Sequence, residues 1–86
     1  GKKLHSARAQ LIERLSEDNL KQLLDRLLHE GVLNDQESDS VQSRNRSDGV
    51  RGLVDMVHRK GNVACSVFIR ELCELDRHLS EDLQLA

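Results

Sequence analysis

Histidine and cysteine are the side chains here with the widest chemical reach. His5, His29, His58 and His78 fall in four separate segments, and neither a C-x-x-C nor an H-x-x-x-H spacing occurs. Zinc sites draw ligands from such closely spaced pairs, so the pattern argues against a metal centre. A nucleophilic cysteine needs a base that generates the thiolate and a cleft that admits substrate. Cys65 and Cys73 sit instead among Val63, Val67, Phe68 and Leu72, which fits inert core thiols. On one helix the rise separates their α-carbons by ~12 Å, beyond the ~7 Å reach of a disulfide. Unbridged thiols suit a reducing compartment, and a cytoplasmic location is expected. Neither a P-loop nor a dinucleotide-binding glycine motif is present, no paired carboxylates stand out, and no cofactor is expected. A chain of 86 residues leaves little room for a substrate cleft.

Charge is the other resource. One third of the chain is charged and the formal net charge is −2, a balance that suits a soluble globular domain. The distribution is uneven. Lys2, Lys3, Arg8 and Arg14 outnumber Glu13 in the first segment, and Arg46, Arg51, Arg59 and Lys60 outnumber Asp48 and Asp55 in the fourth. Between them, Glu17, Asp18, Asp25 and Glu30 outnumber Lys21 and Arg26, and Asp35, Glu37 and Asp39 outnumber Arg44. Basic first and fourth segments thus bracket acidic second and third ones, and opposed patches can make a small domain self-complementary, head to tail. A nucleic-acid interface would rest on Arg44, Arg46 and Arg51 in a net-negative chain with no aromatic beyond Phe68 to stack on bases. The balance of features disfavours a helical nucleic-acid binder. No apolar run approaches the ~18–20 residues that span a bilayer, and the N-terminus carries no signal-peptide pattern.

The elements that position these groups are helical throughout. Apolar residues recur at helical spacing and no segment alternates like a strand. The spacing predicts helices over about 3–15, 17–30, 35–44, 48–60, 62–75 and 76–84 of a single domain covering 1–86. Leu4, Ala7, Leu11, Ile12 and Leu15 form the first stripe; Leu20, Leu23, Leu24, Leu27 and Leu28 form the cleanest one. Ser16, Asn34 or Asp35, Ser47 or Asp48, Asn62 and Asp76 are candidate N-caps, and Gly31 and Gly61 candidate stops. Val41 anchors the short third helix, and 43–49 reads as a loop. The fifth segment is apolar around much of its circumference, which marks it as the central, most buried helix. Short connections make the whole an all-α antiparallel bundle of six helices.

On the second helix Asp18, Gln22, Asp25 and His29 form a stripe opposite the leucines, so Asp25 points to solvent. Lys21 could pair with it at i, i+4, a contact worth only a few tenths of a kcal/mol. Asp48, Arg51, Asp55 and Arg59 make a comparable outward stripe on the fourth helix. Arg8 is less tidy: a straight first helix places it beside the apolar stripe.

The stretch LLDRLLHEGVLNDQE resembles the second and third helices of caspase-recruitment domains (CARDs). RGLVDMVHRKGNVACSVFIRELCELDRHLSEDL resembles their fourth to sixth helices, most specifically in R-x-L-V-D-x-V-x-x-K-G followed by F-I-x-x-L-C-E-x-D. The pattern is closest to inflammatory caspase prodomains and CARD-only relatives. The resemblance implies a six-helix death fold with a first helix often bent or broken, and no catalysis by the domain itself, although such a domain can be the prodomain of a cysteine protease. It implies homotypic association with another CARD, of the same chain or on a caspase, sensor or adaptor, often in helical filaments of inflammasome or apoptotic signalling. A decoy role, like that of CARD-only proteins, is the alternative. In many CARDs a basic surface of helices 1 and 4 meets an acidic surface of helices 2 and 3. By position Asp25 falls on the acidic side, Arg51 and Arg8 on the basic side, and Asp55 beside the latter; Asp18 joins them from the helical wheel alone. The loop around NRSDG is shorter than in the nearest relatives, and the first helix has fewer adjacent basic residues.

Overall fold

The computed structural model describes residues 2–84, with side chains from Ala7 onward. The inward position expected for Leu4, and the charges of Lys2 and Lys3, lie outside the described side chains. Six helices follow one another: α1 (Lys2–Arg14), α2 (Glu17–His29), α3 (Asp35–Gln42), α4 (Arg46–Lys60), α5 (Asn62–Leu75) and α6 (Arg77–Asp82).

Local chemistry sets most of the boundaries. Ser16 Oγ accepts from the Asn19 amide at 3.1 Å and opens α2, with Glu17 and Asp18 in the positive first turn. Gly31 ends α2 at φ +80, where a side chain would be strained. The Gly31 and Val32 amides then reach back to the Leu28 and Leu27 carbonyls at 3.1 and 2.9 Å, a Schellman closure. Asn34 and Glu37 exchange side-chain and backbone hydrogen bonds in a capping box that starts α3. Asp76 caps α6 through the Leu79 amide at 3.0 Å.

Two boundaries differ from the sequence expectation. Asn45, rather than Ser47 or Asp48, caps α4: its Oδ1 accepts from the Asp48 amide at 2.9 Å. Residues 46–49 are therefore helix and not loop. The Arg46 guanidinium fixes this choice by donating to the Ile12 and Leu15 carbonyls at the end of α1. Asn62 does not cap α5 but is its first helical residue. Gly61, at φ +108, turns the chain within one residue, and its carbonyl accepts from the Cys65 amide at 3.1 Å. The first helix, for which the resemblance implied a bend or a break, is unbroken from Lys2 to Arg14.

The core is aliphatic around one aromatic. Phe68, Leu11, Leu23, Leu24, Leu27, Leu53 and Leu72 are fully buried. The most embedded helix is α4, which packs against α1, α5, α3 and α2, whereas α5 meets α2, α4 and α6. α5 buries Ala64, Cys65, Phe68, Glu71 and Leu72, as its apolar circumference led one to expect, while Val63 on its outer side is 80% exposed. Gly49 explains the hub position of α4. A β-carbon there would lie 3.1 Å from the Val41 carbonyl oxygen and 3.6 Å from Leu20 Cδ2, so glycine lets α4 approach α3 and α2 closely.

Candidate functional site

The polar surface divides into charges used inside the molecule and charges left over. Arg8 reaches from α1 to α4 and clasps Asp55 with two hydrogen bonds, Nε–Oδ1 at 2.8 Å and Nη2–Oδ2 at 3.0 Å. That hydrogen bond holds the guanidinium pKa above its ordinary value. The untidy placement of Arg8 beside the apolar stripe is thereby explained: its head turns to α4. Arg14 joins α1 to α6 through Asp82 at 2.9 Å, and Lys60 joins α4 to α3 through Glu37 at 3.0 Å.

Glu71 on α5 is the one buried carboxylate among the described residues, at 7% exposure. It accepts from Arg26 of α2 at 3.1 Å and from Arg70 at 3.2 Å, while Arg70 also pairs with Glu30 at the end of α2. Burial pushes the Glu71 carboxyl up, but the Arg26 and Arg70 hydrogen bonds outweigh it and the net shift is downward. These groups pin α2 to α5.

Subtracting the internal pairs leaves a simple pattern. Asp18 and Asp25 on α2, and Asp35 and Asp39 on α3, are exposed and have no side-chain partner among the described residues. Lys21 and Asp25, though one turn apart, form no ion pair. Arg51 and Arg59 on α4 are likewise exposed and unpaired among the described residues. Of the five residues singled out from the sequence, Asp25, Asp18 and Arg51 are thus exposed and unpaired among the described residues. Arg8 and Asp55 are brought together with each other. Arg59 and Arg44, which were not singled out, are exposed as well. Arg59 was visible in the outward stripe of α4, whereas the position of Arg44 over that helix depends on packing. Arg46, one of three arginines that could have served nucleic acid, is committed to the α1 carbonyls.

The remaining chemistry is sparse. Among the described residues no three His, Cys, Asp or Glu side chains converge to hold a metal ion. Both cysteines are unbridged; Cys65 is buried, its thiol directed at the Val57 carbonyl oxygen at 3.7 Å. No helix of the described residues is long and apolar enough to cross a membrane.

The family model of the caspase recruitment domain matches residues 1–86. The chain belongs to the caspase recruitment domain family. It is 40% identical to caspase-1 of Equus caballus over 99% of its own length and 22% of that protein's. It is 38% identical to caspase recruitment domain-containing protein 16 of Homo sapiens, over 99% of this chain and 44% of that one. The chain therefore spans less than half the length of these two relatives. Its fold matches the solution structure of ICEBERG, described as an inhibitor of interleukin-1beta generation, with a TM-score of 0.85, 30% identity and 96% coverage of both chains. The six-helix bundle is the death fold. A CARD is a homotypic protein-interaction module, and its chemistry is the chemistry of its surface.

Proposed function

We propose that this CARD docks the unpaired arginines of α4 against the unpaired carboxylates of α2 and α3 of another CARD, either its own copy or that of a caspase. The observation that carries this reading is the residue set left after internal pairing: Arg51 and Arg59 on one surface, Asp18, Asp25, Asp35 and Asp39 on the other. Complementary surfaces steer encounter and fix register. One exposed ion pair contributes only ~0–1 kcal/mol. Repetition along an oligomer or filament supplies affinity that a single contact lacks. The setting that fits this role is cytoplasmic assembly of caspases or their adaptors in inflammasome or apoptotic signalling, with 1–86 acting as one domain.

Asp25→Arg and Arg51→Asp are each expected to abolish self-association, or recruitment of a caspase CARD, with the helical circular dichroism and Tm nearly unchanged. Assembly should weaken with added salt. Both variants assembling like the parent would refute the interface.

A decoy role is the second reading, favoured by the likeness to ICEBERG. Substoichiometric amounts of this chain, added to a polymerising caspase-1 CARD, separate the two: seeding supports recruitment and blocking supports the decoy.

A further inference from the structure

One glycine on α4 has the place of its missing side chain taken by an arginine from outside that helix. A β-carbon built on Gly52 would lie 2.3 Å from Arg44 Nη1 and 3.5 Å from its Cζ. Arg44 stands in the connection between α3 and α4, where its guanidinium donates to Ser40 Oγ at 3.3 Å. From there it crosses α4 in the notch that Gly52 leaves. Nothing in the backbone demands glycine at this position, since the positive φ values of glycine occur at Gly31 and Gly61. Glycine in a helix interior is unfavourable relative to alanine, so its presence here calls for a packing reason.

The surroundings supply one. Two shallow depressions, 440 and 500 Å³, adjoin at this point and share Arg44, Gly52 and Asp55. Arg51 lines the first and Arg59 the second. Asp55 is occupied by Arg8, and Asp48, which also lines the first, accepts from Asn45 Nδ2 at 3.2 Å. Arg44 therefore lies between two arginines that have no partner among the described residues, and its own guanidinium has met no carboxylate.

We propose that Gly52 is a positioning residue that seats Arg44 on α4, where with Arg51 and Arg59 it forms a three-arginine row for the α2 and α3 carboxylates of a second copy of this chain. This rests on the docking proposed above and names a further arginine in it. Charge complementarity selects the occupant: the same chain exposes Asp18, Asp25, Asp35 and Asp39 without internal partners among the described residues. A β-carbon at position 52 meets only the far end of a flexible side chain, so alanine leaves the bundle intact and moves Arg44 aside.

The test measures the concentration threshold of self-assembly, by light scattering and sedimentation, for the parent, Arg44→Ala, Gly52→Ala and the double variant. Arg51→Asp serves as the control for the docking itself. Arg44→Ala should raise the threshold about two- to fivefold, the range of one exposed ion pair. Gly52→Ala should raise it about twofold while increasing Tm by about 4–8 °C, because alanine improves the helix. The double variant should assemble no worse than Arg44→Ala alone. The inference is overturned if Gly52→Ala acts equally with and without Arg44, or if Arg44→Ala assembles like the parent while Arg51→Asp fails. Should Arg51→Asp also assemble normally, or the parent stay monomeric at high concentration, the docking reading falls and takes this inference with it.

Discussion

Arg46 offers a sharp test of how this small bundle holds its first helix. Its Nη1 donates to the Ile12 and Leu15 carbonyls, the latter at 3.0 Å, and Nη2 lies 3.4 Å from Ser47 Oγ. The last carbonyls of a helix have no donor within it, and a cation there also opposes the negative end of the helix dipole. A hydrogen bond from a charged donor contributes about 1.5–3 kcal/mol. Here two acceptors share one nitrogen and the side chain is half-buried, which brings the expected loss for Arg46→Ala to about 2 kcal/mol. For a domain of this size each kcal/mol moves Tm by about 4–8 °C, so the variant should melt roughly 8–16 °C below the parent. Arg46→Lys keeps the charge near α1 but not the planar fork, and should lose about half as much. Arg44→Ala, two residues earlier, touches no carbonyl of α1 and should stay within the ~0.5 kcal/mol of an ordinary surface change. Thermal melting by circular dichroism and calorimetry reads all three. An Arg46→Ala protein that melts within about 3 °C of the parent would refute the clamp and show that water serves those carbonyls equally well.

The remaining predictions concern the core and acid stability. Phe68→Ala removes the sole aromatic of a fully buried cluster and should cost about 3–5 kcal/mol, a large part of the whole stability of a small domain, as measured by the urea midpoint. A loss below about 1 kcal/mol would contradict its central place. Three carboxyls sit below their ordinary pKa: Glu37, through the Asn34 amide and then Lys60; Asp82, through Arg14; and Glu71, through its two arginines against the effect of burial. A depressed folded pKa contributes stability that is complete above the unfolded value and is lost as pH falls through the folded one. Tm should therefore hold level above about pH 6 and decline once pH drops below 4.5 and then 3.8, the ordinary values of these groups. Glu71→Gln should shallow that acid decline, and an unchanged slope in this variant would contradict the role of its arginine pairs.

Much of this architecture is readable from local chemistry. Ser16 and Asp76 cap helices because each stands alone as a cap candidate just before an amphipathic run, and Asn34 prevails over Asp35 because Glu37, three residues on, completes a capping box with it. Around α4, Asn45, Ser47 and Asp48 all compete, and the choice is made by Arg46 reaching α1, a contact 34 residues away for Ile12. Gly61 overrides Asn62 because the chain must reverse within one residue, a demand of packing rather than propensity. The outward stripes that carry Asp25 and Arg51 follow from helical spacing alone. Their lack of internal partners does not, because pairs such as Arg8 with Asp55, 47 residues apart, decide which charges remain. The hub role of α4 was hidden for a related reason: Gly49 looks like a weak point in a helix until the approach of Val41 and Leu20 is known.

The order in which helices meet bears on how the fold is reached and left. α1 closes on α4, α2 on α5, and Arg14 ties α1 to α6, so these polar clasps join residues 40 to 68 positions apart. Loop closure must precede any return from such contacts, which makes this bundle a slower folder than an up-and-down one of equal length. An exposed ion pair between helices gains little until those helices have docked, so such pairs are expected to form late in folding. Their loss should hasten escape from the native state and leave refolding almost untouched, a split visible in the two arms of a chevron. For this domain, the clasps of α1 and α2 are expected to govern the lifetime of the native state more than the speed of reaching it.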